Sequence, residues 1–412
     1  MTRPGLALAV YLAASRAIPL VAPTLLKRRL ARGKELPDRW REKLGQPTQF
    51  RPAGPLIWLH AVGLGETLAL RGLIAALAAR TEAHFLITST TRTSAEVLAQ
   101  NVPPRTIHQF LPLDAPGYVA KFLDYWRPAL SIWAEQDLWP GAVAATDARG
   151  IPLALVNARM NSAAYARRAR FHGLFADLLA RFRLLTAQDD TTARHLHALG
   201  APKVSVTGSL KAAAPPLSAN PTSLAEARAV LAGRRPVLLA SSHAEDEFAL
   251  FAALRDHPCP LILIAPRDPA RATEIAARAT GHGLTVTRRS LGQGPEADVW
   301  IVDTFGEMGV WYRLCPTTLI GGTFGPTEGH NPWEPAALGS AILHGPRTAN
   351  FAADFAALHL AGAAKAVQAE DLPAALLADY SVMAARAKAL SDAAQGALDP
   401  LAQDLLILAG LA

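Results

Sequence analysis

The chain has 412 residues, half of them hydrophobic, so it can bury a large core and disorder is excluded; two domains of about 200 residues each are expected. Its net charge of +7 is confined to the first fifty residues, which hold ten Lys or Arg against three Asp or Glu and leave 31 of each sign elsewhere. Such a local excess, without interleaved aromatic and basic residues, argues against a nucleic-acid partner. Cys259 and Cys315 lie in apolar stretches without metal-ligand spacing, which predicts buried structural thiols.

The N-terminal segment combines an apolar stretch with a basic cluster. Residues 6–26 are long enough to approach a membrane span, but Arg16 and two prolines interrupt them, and Lys27 begins the basic cluster. We predict that residues 1–50 form an amphipathic, basic anchor at the surface of anionic lipids. Packing on the protein's own domain is the alternative, and both can be partly true.

From residue 56 onward, short apolar runs alternate with helical patterns. This alternation predicts an α/β fold with parallel sheets covered by helices, and a ligand crevice at the carboxyl ends of the strands. The predicted strands of the first half are Leu56–Val62, His84–Thr90, Ile107–Leu111, Leu130–Ala134, Leu153–Asn157, Leu184–Ala187 and Val204–Thr207. Those of the second half are Val237–Ser241, Leu261–Ala265, Thr285–Thr287, Val299–Val302, Thr318–Ile320 and Ala341–His344.

The two series predict two Rossmann-like, doubly wound domains that face a cleft. The domains are expected at residues 51–210 and 236–395. Residues 211–235, rich in Pro, Ala and Ser, are predicted to be the linker, and residues 396–412 a C-terminal helix.

The first strand-end motif is LIWLHAVGLGETLALR, residues 56–71. Its glycines suggest a phosphate loop, but a dinucleotide fingerprint needs glycine where Leu68 stands, so that interpretation fails. Glu66 falls at the predicted start of a helix, where the helix dipole favours the charged carboxylate. Glu66 is therefore a base, a fixed anion or an ordinary helix cap, and His60 either points into the cleft or fills a core position.

Two further motifs of the first half carry charge at strand ends. In AEQDLWPG, Glu135 and Asp137 are predicted to lie on opposite faces, so at most one of them faces the same way as Glu66. After Asn157, Arg159 and the arginines at 167, 168 and 170 form either a cluster that binds a phosphorylated or carboxylated ligand or a solvated helix face.

The second half has its own strand-end motifs, SSHAEDE, APRDPAR and DTFGEM, and VTGSLK closes the first half. In TFGPTEGHNPWEPAALGSAILHGP, residues 323–346, a Gly-rich start precedes a helix whose N–H groups can hold an anion while Glu334 reaches a ribose diol. No spacing typical of metal ligands is present, so we predict no metal, with Arg267 or Lys211 meeting the phosphate.

These motifs, in this order, resemble those of the bacterial 3-deoxy-D-manno-octulosonic acid (Kdo) transferases nearly end to end. The resemblance rests on RGKELPDRWREKLG, HAVGLGE, DLWPG, NARM, TGSLK, PRDPAR, DTFGEM, GHNPWEPAALG and GPRTANF. It implies a GT-B fold and a metal-independent, inverting transfer of Kdo from CMP-Kdo to a lipid A precursor, without a cofactor. It also implies a location at the cytoplasmic face of the inner membrane, in contact with anionic lipids.

The resemblance further implies residue roles, with Glu66 as the general base and Glu334 as the ribose ligand. The implied acceptor-binding residues are His60, Gly65, Glu135, Asp137, Asn157 and Arg159. The implied donor-binding residues are Ser209, Lys211, Ser242, His243, Pro266, Arg267, Phe305, Gly306, Glu307, Gly322, Thr323, His330, Asn331 and Glu334.

The chain departs from the family pattern at several motif positions. Gly141 stands where the family usually has Asn, Asp137 where it has Glu, Ala244 where it has Glu, and Asp268 where it has His. Three alternatives therefore stay open: a divergent paralogue that uses another CMP-sugar or acceptor, a non-catalytic scaffold that binds a nucleotide sugar, and a UDP-sugar epimerase.

Overall fold

The chain forms two compact units, each with its own parallel sheet. The computed structural model describes residues 3–62, 64–92, 95, 96, 98, 102–135, 137–255, 257 and 260–412, and of residues 64–68 it describes the backbone alone. The first unit comprises Met1–Ala214 and Ala394–Ala412, and the second comprises Pro215–Ala393. The chain thus leaves the first unit once and returns to it.

The sheet of the first unit has seven parallel strands in the order β3-β2-β1-β4-β5-β6-β7. The central strands are buried along their whole length, as expected for runs of Leu, Ile, Val and Trp covered on both faces. All seven predicted strands are confirmed, with bounds shifted by at most two residues. They are β1 (Leu56–His60), β2 (His84–Ser89), β3 (Thr106–Phe110), β4 (Leu130–Ala134), β5 (Leu153–Ala158), β6 (Leu184–Ala187) and β7 (Ser205–Val206).

Helices cover both faces of this sheet. Before residue 215, the helices of the first unit for which the described residues give bounds are α1 (Leu6–Ser15), α2 (Ile18–Ala31), α3 (Leu64–Ala78), α4 (Pro116–Trp126), α5 (Pro140–Asp147), α6 (Ser162–Ala169), α7 (His172–Leu179) and α8 (Asp190–Ala198).

The N-terminal helices α1 and α2 pack on the first unit along one side. Leu8 is fully buried in the unit's core, and the Tyr11 hydroxyl donates to Asp114 at 2.7 Å. On the other side, Leu6 and Leu20 are 84% and 82% exposed. Within the described chain, no one helix is long and apolar enough to cross a bilayer; α1 and α2 together meet that length and composition, although they are bent by 56° at their junction.

The segment that follows α2 is tied to the edge of the sheet by a buried carboxylate. Glu42 is fully buried and accepts hydrogen bonds from the Arg39 guanidinium at 2.9 and 3.0 Å and from the Phe110 N–H at 2.7 Å. Charge-assisted bonds of this kind compensate the cost of burying the carboxylate. The basic N-terminal region is therefore part of the folded first unit.

The sheet of the second unit also has seven parallel strands, in the order β10-β11-β9-β8-β12-β13-β14. The six predicted strands are confirmed, and β14 at the edge was not predicted. The seven strands of this sheet are β8 (Val237–Ser242), β9 (Ile262–Pro266), β10 (Val286–Arg288), β11 (Val299–Ile301), β12 (Thr317–Ile320), β13 (Ala341–His344) and β14 (Ala364–Ala366).

The remaining helices begin after residue 215. Cys315, which follows the fourth of them, is buried, and burial raises the pKa of its thiol; Cys259 lies outside the described residues. The helices are α9 (Pro221–Leu231), α10 (Ala244–Leu254), α11 (Ala272–Gly281), α12 (Met308–Leu314), α13 (Trp333–Ala337), α14 (Ala352–Leu360), α15 (Leu372–Leu377), α16 (Ser381–Gly396) and α17 (Leu398–Ala409).

The predicted linker, residues 211–235, is wrong over α9. Asn220 caps this helix by accepting from the backbone N–H groups of residues 222 and 223, and Ala227 and Leu231 are buried in the core of the second unit. The Pro and Ala content that suggested a linker is compatible with a helix because Pro is tolerated at the first helical position.

The last helix, α17, belongs to the first unit. Its Leu401 and Leu405 are buried in the same apolar cluster as Leu70 and Leu73 of α3. The helix α3 is thus covered by α17.

Candidate functional site

Each sheet has a central reversal point, at which the chain, after building strands on one side of its first strand, returns to build on the other side. In the first unit this point lies between β1 and β4, and in the second it lies between β8 and β12. In open parallel sheets, ligands bind outside the carboxyl ends of the strands at such a point. The loops after these four strands carry HAVGLGE, AEQDLWPG, SSHAEDE and the start of the Gly-rich motif of residues 323–346, all singled out from the sequence.

His60 ends β1 as a core residue, not as a ligand-facing one. It is fully buried, its Nδ1 lies 2.9 Å from the Thr88 hydroxyl, and its ring packs edge-on against Trp133 with centroids 4.9 Å apart. Burial lowers the pKa of His60 to about 3, so the imidazole is neutral. The prediction that His60 binds an acceptor is corrected accordingly.

This burial makes stability depend on pH. The unfolded chain binds a proton at His60 near the ordinary pKa of 6.5, whereas the folded chain does so only near 3, so the free energy of unfolding falls as pH drops below 6.5. The His60→Gln variant is expected to reduce that slope by about 1.4 kcal/mol per pH unit in urea unfolding between about pH 6 and pH 4. The exposed control His172→Gln should leave the slope unchanged, and an unchanged slope in His60→Gln would contradict the neutral, buried imidazole.

The Gly-rich loop leads into α3. Glu66 is the third residue of this helix by its backbone, while its side chain, Gly63 and the side chains of residues 64–68, Gly65 included, lie outside the described residues. The roles of Glu66 and Gly65 therefore stay predictions.

Two neighbouring strands end in residues with left-handed backbone. Glu135 has φ 64° and Asn157 has φ 56°, a conformation that costs a non-glycine residue about 1–3 kcal/mol and that clusters at functional sites. The Asn157 amide oxygen accepts from the Leu210 N–H at 2.9 Å, and Lys211 Nζ lies 4.0 Å from Glu135 Oε1. Ser209 and Lys211 belong to the first unit, and their predicted contact with the donor stays a prediction.

The arginine cluster of the first unit is partly buried. Burial lowers the pKa of Arg168. The negative charge of Asp137 acts to raise this pKa, and the positive charge of Arg167 acts to lower it further. Glu135, Arg159 and Arg168 line a cavity of about 10 Å³, which is the size of one water molecule. Asp137 itself is exposed. Because β4 ends at Ala134, both carboxylates lie beyond the strand, and the strand alternation predicted for them does not apply.

In the second unit, Asp246 joins the two loops at the reversal point. The buried carboxylate accepts from the backbone N–H groups of His243 at 2.9 Å, Gly322 at 2.6 Å and Phe324 at 3.1 Å. Burial raises the pKa of Asp246 and these three bonds act against that rise. The loops touch directly, since a Cβ at Gly321 would lie 2.3 Å from a backbone oxygen of the β8 end.

Several side chains predicted to bind the donor are engaged within the protein instead. The Ser242 hydroxyl is buried and donates to Glu247 at 2.8 Å, and the buried Thr323 hydroxyl donates to the Ile320 carbonyl at 2.6 Å. Glu307 accepts from the Arg289 guanidinium at 2.6 and 2.7 Å and from the Thr304 hydroxyl. The buried Ser242, Thr323 and Pro266 therefore hold supporting positions, whereas the donor contact of Glu307, which is partly exposed, stays a prediction.

Five other predicted residues come together near the reversal point. The Nε2 atoms of His243 and His330 lie 2.9 Å apart, and the charge of Arg267 acts on both His330 and Glu334. Asn331 donates to Glu334 at 3.4 Å and orients it. Burial raises the pKa of Glu334, against the hydrogen bonds of Asn331 and Tyr312 and the charge of Arg267.

The DTFGEM loop presents an aromatic ring to solvent. Phe305 is 85% exposed, and Gly306 beside it has φ 82°. Asp303 holds the start of this loop by accepting from the Arg288 guanidinium and the Ser290 hydroxyl. Such an exposed ring is suited to stack on a planar group.

Comparison with known proteins defines the family. A family model described as 3-deoxy-D-manno-octulosonic-acid transferase (kdotransferase) matches residues 38–214. A 3-deoxy-D-manno-octulosonic acid transferase of Bordetella pertussis is 34% identical over 392 residues, which cover 88% of this chain and 90% of that protein. The chain belongs to the 3-deoxy-D-manno-octulosonic acid transferase family. This Kdo transferase family member is accordingly a glycosyltransferase.

Other relatives and solved structures agree with this family and its fold. A probable mitochondrial Kdo transferase of Arabidopsis thaliana is 32% identical over 81% of this chain and 78% of its own length. The structures of UDP-GlcNAc 2-epimerase from Neisseria meningitidis and MurG from Acinetobacter baumannii match 86% of this chain and all of theirs, with TM-scores of 0.57 and 0.53 at 13% and 14% identity. The predicted GT-B fold class is confirmed.

One departure from the Kdo transferase pattern, Gly141, has a structural cause. Asp114 accepts from the N–H groups of Gly141 at 2.8 Å and Ala142 at 2.7 Å and so caps α5. A Cβ at position 141 would lie 2.7 Å from Asp114 Oδ1. Glycine is therefore required here by its neighbour.

Restoring the family's asparagine is expected to destabilise this Kdo transferase. The Gly141→Asn variant should lower the free energy of unfolding by about 1–3 kcal/mol because the added side chain displaces Asp114. Thermal unfolding measures this, with Gly117→Asn, a helical glycine with open space around it, as the matched control. Adding Asp114→Ala to Gly141→Asn should lower the free energy of unfolding little further. A Gly141→Asn variant as stable as its Gly117→Asn control would contradict the clash.

The departure at Asp268 is also local. Its Oδ1 accepts from the Ala270 N–H at 3.0 Å, so the exposed carboxylate caps the short turn that follows β9.

Two residues that the sequence analysis missed matter more: Asp246 and Arg271. The spacing of His243 and Asp246, three residues apart at a helix start, was the available signal for the first.

The described residues contain no group of three or more His, Cys, Asp or Glu side chains arranged to hold a metal ion. The metal-independent chemistry therefore stays a prediction.

Proposed function

We propose that this glycosyltransferase transfers Kdo from CMP-Kdo to a lipid A precursor of the lipid IVA type. The donor assignment is supported chiefly by the distribution of charge at the strand ends of the second unit. Four arginines there are paired with carboxylates, whereas Arg267 has no carboxylate at salt-bridge distance among the described residues; the paired ones are Arg271, Arg288, Arg289 and Arg347. Arg267 is exposed and available to an anionic ligand such as a nucleotide phosphate or a sugar carboxylate.

The nucleoside half of the donor is assigned to residues around Arg267. Glu334, oriented by Asn331, accepts hydrogen bonds from the ribose hydroxyls, and Phe305 offers a ring on which a base can stack. The charge of Arg267 acts on the Glu334 carboxylate, so a phosphate bound next to Arg267 would lie near Glu334.

The acceptor is assigned to the first unit, with Glu66 as the general base. Glu66 takes the proton of the acceptor hydroxyl as its oxygen attacks the anomeric carbon of Kdo. The bond from that carbon to the phosphate oxygen breaks, and its electron pair leaves with CMP, which inverts the anomeric centre. No metal ion takes part; Arg267 and the histidines beside it stabilise the leaving phosphate.

We assign the enzyme to the cytoplasmic face of the inner membrane. The exposed apolar side chains Leu6 and Leu20 on α1 and α2 lie close in sequence to the basic residues 27–34, a combination that favours anionic lipid surfaces. Sedimentation with anionic but not with neutral vesicles is the expected result, and equal binding to both would contradict the assignment.

A product assay tests the function. The purified full chain is incubated with CMP-Kdo and lipid IVA in micelles, and a mass spectrum of the lipid should show the addition of one or more Kdo residues. Free Kdo without lipid product would contradict the acceptor, binding of CMP without turnover would favour the scaffold, and tighter binding of UDP than of CMP would favour an epimerase.

A further inference from the structure

His243 and His330 form one hydrogen-bonded pair that joins the loops after β8 and β12. Their Nε2 atoms lie 2.9 Å apart, and their rings stack with centroids 5.1 Å apart at an angle of 10°. Both side chains are half-buried. The two imidazoles are therefore coupled through one shared proton position.

The contact limits the number of ring protons. One proton lies between the two Nε2 atoms, and the neutral pair carries one more, on a single Nδ1. A third proton, on the other Nδ1, gives the pair one positive charge. A fourth would set two N–H groups against each other, so the pair changes its charge by one unit.

The charges around the pair oppose the third proton. Burial lowers the pKa of His330 to about 4, and a positive charge on its pair partner His243 or on Arg267 acts in the same direction. The carboxylates facing this group are Asp246, which accepts from the backbone N–H of His243, and Glu334, which faces Arg267. An anion bound at Arg267 would cancel the guanidinium charge and remove the main cationic obstacle outside the pair.

We propose that the His243–His330 pair takes up one proton when a nucleotide phosphate binds beside Arg267. The inference rests on the proposed CMP-sugar donor and adds a protonation step to its binding. The acquired charge strengthens the hydrogen bonds to the phosphate. It also stabilises the second negative charge that the phosphate gains when CMP leaves. In that step the proton stays on the two histidines, and the electrons of the broken bond stay on the phosphate oxygen.

Titration calorimetry of the full chain with cytidine 5′-(methyl phosphate) tests the coupling. This phosphodiester keeps a single charge across the neutral range, so it contributes no proton of its own. In buffers of different ionisation enthalpy, we expect uptake that approaches one proton per ligand at about pH 6 and is smaller at about pH 8. The variants His330→Gln and His243→Gln should each lose the uptake and bind the ester about threefold to tenfold more weakly.

A second histidine pair in the same unit provides the matched control. The Nε2 atoms of His344 and His359 lie 2.7 Å apart, and His359 is exposed on α14. The His359→Gln variant should therefore keep the uptake. Binding without dependence on the buffer, or equal uptake in wild type and in His330→Gln, would overturn the inference alone; no binding of the ester or of CMP would overturn the donor assignment and the inference with it.

Discussion

The Glu66→Gln variant is expected to lower kcat for Kdo transfer by about 10²- to 10⁴-fold, because removal of a general base costs a factor of this size. Glutamine keeps the shape of the side chain and its place in the first turn of α3 but cannot accept the acceptor's proton. The rate is measured from the lipid product by mass spectrometry at saturating CMP-Kdo and lipid IVA.

Two controls separate loss of the base from loss of the fold. CMP binding should be unchanged in Glu66→Gln because the proposed donor residues lie in the second unit. Glu82→Gln, a matched change at an exposed carboxylate that pairs with Arg105 in the same unit, should retain the full rate. A Glu66→Gln enzyme within threefold of the wild-type rate would refute Glu66 as the base.

The Arg271→Ala variant is expected to destabilise the second unit by about 3 kcal/mol, because it leaves a buried charge without its partner. Glu247 is fully buried and accepts from Arg271 at 3.0 and 2.8 Å. After the change, the Ser242 hydroxyl would be its one remaining side-chain partner among the described residues. Urea unfolding measures the loss.

An exposed ion pair on the next helix is the comparison. Arg278 and Glu274 pair at 2.7 Å with both side chains more than two-fifths exposed, so Arg278→Ala should cost no more than about 0.5 kcal/mol. Adding Glu247→Gln to Arg271→Ala should recover part of the stability because it removes the uncompensated charge. If Arg271→Ala costs as little as Arg278→Ala, the buried pair is not the source of stability described above.

The strands could be predicted from sequence because buried parallel strands are continuous apolar runs, and β1 and β13 both have this form. The edge strand β14 (Ala364–Ala366) escaped prediction because three residues of sequence AKA carry no such run. The helix α9 was hidden by its composition, although Asn220 and Pro221 give the usual signal of a helix start.

The site was predictable as a set of loops but not as a set of contacts. A polar residue at a strand end meets either a ligand or the protein, and the sequence does not distinguish the two outcomes. His60 turned inward because Thr88, 28 residues away in sequence, supplies its partner. Ser242 and Thr323 instead bond to local groups, Glu247 five residues later and the Ile320 carbonyl three residues earlier. Burial decides whether such a side chain meets the protein or a ligand, and the local sequence does not report burial.

The discontinuous first unit has a consequence for the synthesis of the protein. The helix α3, with Leu70 and Leu73, is covered by Leu401 and Leu405 of α17, which are made after the whole of the second unit. Chains fold domain by domain as they emerge from the ribosome, yet here the second unit can be finished while the first still exposes an apolar face. The unit that carries Glu66 therefore completes its core only after α17 has been made, so a product truncated before α17 would lack its final fold.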